Sequence, residues 1–170
     1  PAAGEPLRSR GFAVCLVRKF QGVPNTTAKA VRAAAERGVW MVNVDASGGR
    51  RRMEAARNGI DSVAGSNTLL IAVTVLTSPD AEALEEIGLS GGPREAADRL
   101  AKLAWAAGLR GFVTSAHECA ALRDELGEDA FLVTPGIRPA GSDVGDQKRV
   151  MTPADAIEAG ANLLVVGRPI

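Results

Sequence analysis

FLVTPGIRPAGSDVGDQKRVMTPADAIEAGANLLVVGRPI, Phe131 to Ile170, holds two short apolar runs, Phe131 to Val133 and Leu163 to Val166. Each run ends in a turn carrying Gly and Arg, TPGIRP and GRPI, and a loop with Gly145, Asp146 and Gln147 lies between them. Apolar runs of this length between helical patterns read as buried strands. The turn after such a strand can deliver backbone N–H groups and an arginine to one point. Gly167 lets the backbone approach an anion where a side chain would block it. Arg168 supplies a planar, permanently charged fork that matches phosphate oxygens. The layout is that of a local anion grip.

Outward from this segment, one unit recurs along the chain. Gly11 precedes the apolar run FAVCLV, and Asn25 then opens a helical pattern, TAKAVRAAAERG, that stops at Gly38. VWMVNV reads as a second strand, RRRMEAARNG as a basic amphipathic helix ended by Gly59, and TLLIAVTVL as a third strand, apolar on both faces. Helices follow near Asp80 to Glu86 and from Pro93 to Ala107. The strand GFV, a helix from about His117 to Leu126, FLV, a helix from Pro153 to Glu158 and NLLVV complete the pass. Six strands alternate with helices, which implies an α/β fold with a parallel sheet and right-handed crossovers.

A doubly wound sheet and a (β/α)8 barrel both fit that alternation. The strand-to-helix turns favour the barrel. Lys19, Asn43 and Asp45, Thr77 and Ser78, Thr114 and Ser115, Thr134 with Arg138, and Gly167 with Arg168 all follow strands, so they would gather at one rim. A site assembled from the C-terminal ends of many strands, with a phosphate site after the last of them, is the habit of TIM barrels. The expectation is a single domain over residues 1–170, an incomplete (β/α)8 barrel with about six of its eight strands present.

Composition bounds the function. The 170 residues are 46% apolar, enough for a core, and 20 basic residues balance 20 acidic ones. A neutral balance argues against an extended nucleic-acid footprint, which needs a basic surplus on one face. Cys15 and Cys119 stand far apart in no ligand spacing, so they read as reduced thiols and no metal site is indicated. The run Phe12 to Val17 is too short to span a bilayer, and the N-terminus lacks a signal pattern. A cytoplasmic protein without a membrane partner is expected.

The segments VTPGIRPAGSDVGDQKRVMTP, GANLLVVGRPI, VPNTTAKAVRAAAERGVWMVNVDASGG and LLIAVTVLTS closely resemble the bacterial orotidine 5'-phosphate decarboxylases over essentially the whole chain. The resemblance implies a homodimeric barrel that converts orotidine monophosphate (OMP) to uridine monophosphate (UMP) and CO2 in pyrimidine biosynthesis, without any cofactor. It also implies about two further N-terminal strands and a final helix outside this stretch. The family's chemical motif is an Asp, one residue, a Lys, two residues and a second Asp, running into a Pro-Asn-Thr turn. The matching run here is VRKFQGVPNT, in which Lys19 is kept while Val17 and Gly22 replace the two acids.

By that match Lys19 is the proton donor. Loss of CO2 leaves a carbanion on the pyrimidine, and a cation beside it stabilises the charge and delivers the proton. Thr77 and Ser78 would meet the pyrimidine, Arg138 and Gln147 would sit on the loop over the phosphate, and Gly167 with Arg168 would grip it. Thr26 would reach the ribose of the neighbouring subunit's ligand. Plainer readings stand beside these: a solvated strand-end Lys19, a helix-capping Ser78 or Thr26, a surface-turn Arg138. Asp45 stands where relatives usually carry His. His117 reads as an early helical surface residue in a capping box formed by Ser115 and Glu118. Arg50, Arg51 and Arg52 read as a solvated helix face. Two functions of different class stay open: a decarboxylase impaired by the loss of both acids, or a non-catalytic nucleotide-phosphate-binding relative or inactive fragment.

Overall fold

A computed structural model describes residues 5–17, 22–142, 145 and 149–167. The elements in chain order are α1 (Glu5–Arg8), β1 (Cys15–Leu16), α2 (Pro24–Glu36), β2 (Met41–Asp45), α3 (Arg50–Asp61), β3 (Leu69–Val73) and α4 (Ala81–Glu86). They continue as α5 (Pro93–Ala106), β4 (Gly111–Val113), α6 (Ala116–Leu126), β5 (Phe131–Thr134), α7 (Pro153–Glu158) and β6 (Leu163–Leu164). A 3-10 turn, Ala46–Gly48, joins β2 to α3. At four residues, α1 is too short to leave a periodic signature.

The six strands form one sheet in the order β1-β2-β3-β4-β5-β6, and every pairing is parallel. Strand order decides between the two architectures that the alternation allowed. A doubly wound sheet reverses direction at a switch point, whereas here each strand pairs with the next in sequence. Continuous winding of one hand puts all crossover helices on one face and curls the sheet around the other. The result is part of a (β/α)8 barrel.

Side chains alternate across the strands accordingly. On the helix-covered face Val42, Val44, Leu70, Ala72, Phe112 and Leu132 join one core with Val31, Met53, Ile60, Leu100 and Leu122 from the helices. On the opposite face Met41, Ile71 and Val133, neighbours through the register, form a smaller cluster with Trp40, Val113, Phe131 and Leu163. The main core spans α2, α3, α5 and α6 and carries most of the apolar burial. The inner face is only part covered, for Val17, Leu69 and Val165 are exposed.

Three local readings change. The helix α3 does not stop at Gly59 but continues to Asp61. Gly59 is buried against α2, where a Cβ would lie 2.5 Å from the Ala28 carbonyl oxygen, so the glycine serves close helix approach. The runs FAVCLV and NLLVV pair over only Cys15–Leu16 and Leu163–Leu164. Among the described residues β1 and β6 have a neighbour on one side alone, and a strand paired on one side has fewer ladder bonds to hold its ends. Finally, Arg50 and Arg51 face solvent as expected, but the Arg52 guanidinium folds back over Gly48.

Candidate functional site at the carboxyl rim

The polar residues that follow the strands gather at the C-terminal end of the sheet. Beyond β3 the ladder runs on, with the Thr74 amide and hydroxyl both donating to the Val113 carbonyl at 3.0 and 2.9 Å. Thr77 is then buried and Ser78 exposed. The cap of α4 is Asp80, whose carboxylate accepts from the Ala83 amide at 3.1 Å, so Ser78 is not needed for capping. Thr26, exposed in the first turn of α2, does not cap either, since the N-cap position of that helix is Val23 and no side chain caps it.

After β4, Ser115 caps α6 by accepting from the His117 amide at 3.4 Å. The reciprocal half of the expected capping box is not formed. Glu118 turns inward and is buried, accepting from the Thr114 hydroxyl at 3.4 Å and pairing with the Arg149 guanidinium. Burial pushes the Glu118 carboxyl above its ordinary 4.5, and Arg149, His117 and the Thr114 hydroxyl offset part of that rise. His117 is exposed, as read, with Nε2 lying 3.2 Å from the Val150 carbonyl. Cys119 is buried 3.7 Å from the Thr134 hydroxyl, and burial pushes its thiol up, which suits a structural rather than a reactive role.

The loop after β5 leaves and returns at one neck. Ile137 and Met151 form an isolated parallel bridge, the Arg138 amide donates to the Met151 carbonyl at 3.0 Å, and the Met151 amide donates to Gly136 at 3.4 Å. Arg138 is buried, not a free surface-turn residue, and its Nη1 donates to the Ile137 carbonyl at 2.9 Å. With His117, Pro139, Met151, Thr152 and Asp155 it lines a cavity of about 570 Å³. Gly136 has φ +77°, and a Cβ there would lie 2.8 Å from Thr77 Cγ2 and 3.1 Å from the Arg149 carbonyl oxygen. The neck therefore rests directly on the Thr77 turn.

Arg149 completes the rim and was not foreseen. Its Nη1 pairs with Glu118 at the start of α6, while its Nη2 donates to the Leu76 carbonyl at 2.8 Å. It joins three strand-end segments. In the sequence it is one of two basic residues after GDQ, with nothing to separate it from a solvated loop charge.

Thr77 and Arg138 thus come together around one neck, with Ser78 beside them at the surface. Gly167 lies exposed after β6, and Asp45 closes β2 next to Val73 of β3. Val17 follows β1 directly and is exposed. Lys19, Gln147 and Arg168 lie outside the described residues. Among the described residues no group of three or more His, Cys, Asp or Glu side chains could hold a metal ion, and no helix is long and apolar enough to cross a membrane.

Comparison with known proteins bears on this rim. The model of the orotidine 5'-phosphate decarboxylase / HUMPS family matches residues 3–170. An orotidine 5'-phosphate decarboxylase of Hydrogenovibrio crunogenus is 58% identical over 170 residues, all of this chain and 72% of that protein. One of Aliivibrio fischeri is 56% identical over the same span, 73% of its own length. Among solved structures, the orotidine 5'-phosphate decarboxylase of Lactobacillus acidophilus superposes with a TM-score of 0.82 at 34% identity, over 97% of this chain and 70% of that one. An uncharacterized conserved protein of Geobacillus kaustophilus gives 0.80 at 36%, over 95% and 70%.

Proposed function

The chain belongs to the orotidine 5'-phosphate decarboxylase / HUMPS family, and on that premise we propose that it binds the OMP/UMP nucleotide at the carboxyl rim and carries a weakened, cofactor-independent decarboxylase site. The observation that supports the reading is that the turn holding Thr77 packs against Gly136 at the neck from which Arg138 departs; Thr77 would meet the pyrimidine and Arg138 the phosphate end. Gln147, Gly167 and Arg168 would complete the phosphate grip, and Ser78 would join Thr77 at the base. Thr26 would contribute from a second copy of the chain in a homodimer.

The chemical step asks for a cation beside the carbon that loses CO2, and Lys19 is assigned that role as proton donor. The acids that would crowd the substrate carboxylate and orient the lysine are replaced by Val17 and Gly22. Groups that act as one network do not lose their effects independently, so the residual rate is expected to be small. A purely nucleotide-binding role is the second reading, and those same two positions favour it.

Purified chain should bind UMP weakly by calorimetry and consume OMP far more slowly than an intact relative, followed by loss of substrate absorbance at neutral pH. Robust decarboxylation would overturn the impaired-site reading. Unchanged UMP affinity in Arg168→Ala would overturn the phosphate assignment. Restoring the acids with Val17→Asp and Gly22→Asp together should raise turnover at least about tenfold if Lys19 is the donor. No gain, in a variant that still binds UMP, supports the purely binding role.

A further inference from the structure

Arg149 stands apart from the residues that the nucleotide reading uses, yet its side chain bonds two other segments of the rim. One guanidinium edge is paired with the carboxylate of Glu118, which is only 3% exposed, and the other donates to the Leu76 carbonyl one residue before Thr77. Its own backbone carbonyl packs by Gly136, and two residues later Met151 closes the neck from which Arg138 departs. A planar fork can satisfy a carboxylate and a carbonyl on different segments at once, which an ammonium cannot. A guanidinium held by a buried carboxylate is fixed in place, because separating the two would leave an uncompensated charge out of water.

The geometry points to Arg149 as a positioning residue, with Glu118 as its anchor, that locks the neck of the β5 loop onto the turn after β3 and so sets the spacing between Arg138 and Thr77. The inference rests on the nucleotide reading above for what that spacing serves. A ligand that touches both ends, a nucleoside monophosphate, is sensitive to the spacing. A ligand that touches one end is not.

Amide hydrogen exchange of the ligand-free chain tests the brace. Losing a charge-assisted bond exposes both segments that it joined, so in Arg149→Lys the amides of 76–80 and 136–142 should speed up together by about tenfold. Those of β3 and β4 should stay as they are. Glu118→Gln keeps an acceptor without the charge and should give a smaller rise in the same two segments, which covers the case of an Arg149 variant that folds poorly. Only one segment moving, or neither, would overturn the brace.

The positioning role is read from ligands of two lengths. Arg149→Lys should weaken UMP by about tenfold while changing affinity for uridine and for inorganic phosphate no more than about twofold. Equal weakening of all three would mark a merely structural residue and sink the proposal. If the unaltered chain binds no UMP, the nucleotide reading falls, and the exchange experiment alone upholds or overturns the brace.

Discussion

Gly136 shows how one residue can hold a site together by having no side chain. Its φ of +77° lies in the left-handed region, and a Cβ would press on Thr77 Cγ2. Left-handed backbone costs an L-residue about 1–2 kcal/mol before any clash. Gly136→Ala should therefore lower the stability measured by urea unfolding by at least that amount, and should weaken UMP more than inorganic phosphate. The glycine was visible in TPGIRP as part of a turn, but its contact partner was not, because Thr77 is far away in sequence. Glu118 offers a second test. Its carboxyl sits above the ordinary 4.5 in the folded chain, so the folded state keeps a proton that the unfolded chain has already released. Its contribution to stability is complete below about that ordinary value and declines as pH rises through the raised one. Measured as a difference in urea midpoint, the unaltered chain should lose stability relative to Glu118→Gln as pH climbs through this window. A flat difference would mean that Arg149 keeps the carboxyl ionised throughout.

At the scale of elements, legibility followed periodicity. The helices α4, α5, α6 and α7 lie within a residue of where capping residues, prolines and apolar spacing put them, because those signals are local. What was lost is what depends on a neighbour. Gly59 reads as a helix stop in isolation, yet the helix runs two residues further, since α2 packs so closely that only a glycine fits. Gly59→Ala gains helix propensity but drives a Cβ to 2.5 Å from a backbone oxygen that cannot rotate away. The clash should win, with a net loss of about 1–3 kcal/mol in chemical denaturation. The capping box at Ser115 was half legible for a related reason. The Ser and Glu types suit a box, but the partly buried Arg149 guanidinium on another segment competes for the Glu118 carboxylate and takes it. In the same way the positions of Thr77 and Arg138 after β3 and β5 could be read locally, whereas the contacts of Arg149 emerge only once the neck is folded.

For the whole molecule, strand order carried more than strand count. Six apolar runs alternating with helices fit two architectures, and the rim of polar turns chose between them correctly because a barrel's crossovers all return to one face. The same winding has a consequence for behaviour in solution. Among the described residues β1 and β6 each present an unpaired edge, and Val17, Leu69 and Val165 leave apolar surface open on the inner face. Unpaired edges beside exposed apolar side chains are templates for further pairing. Charge does little to oppose it, since the chain is formally neutral with an isoelectric point near 7.2. The 170-residue chain on its own should therefore self-associate at micromolar concentration near neutral pH, seen as a rising mass by light scattering, and association should weaken as pH moves away from neutrality. A longer chain whose added strands fill the space between β1 and β6 should be discrete in size and melt cooperatively. A monomer with one sharp melting transition from the 170 residues alone would show that this curled sheet closes its edges by itself, and would remove the ground for expecting the added strands to matter.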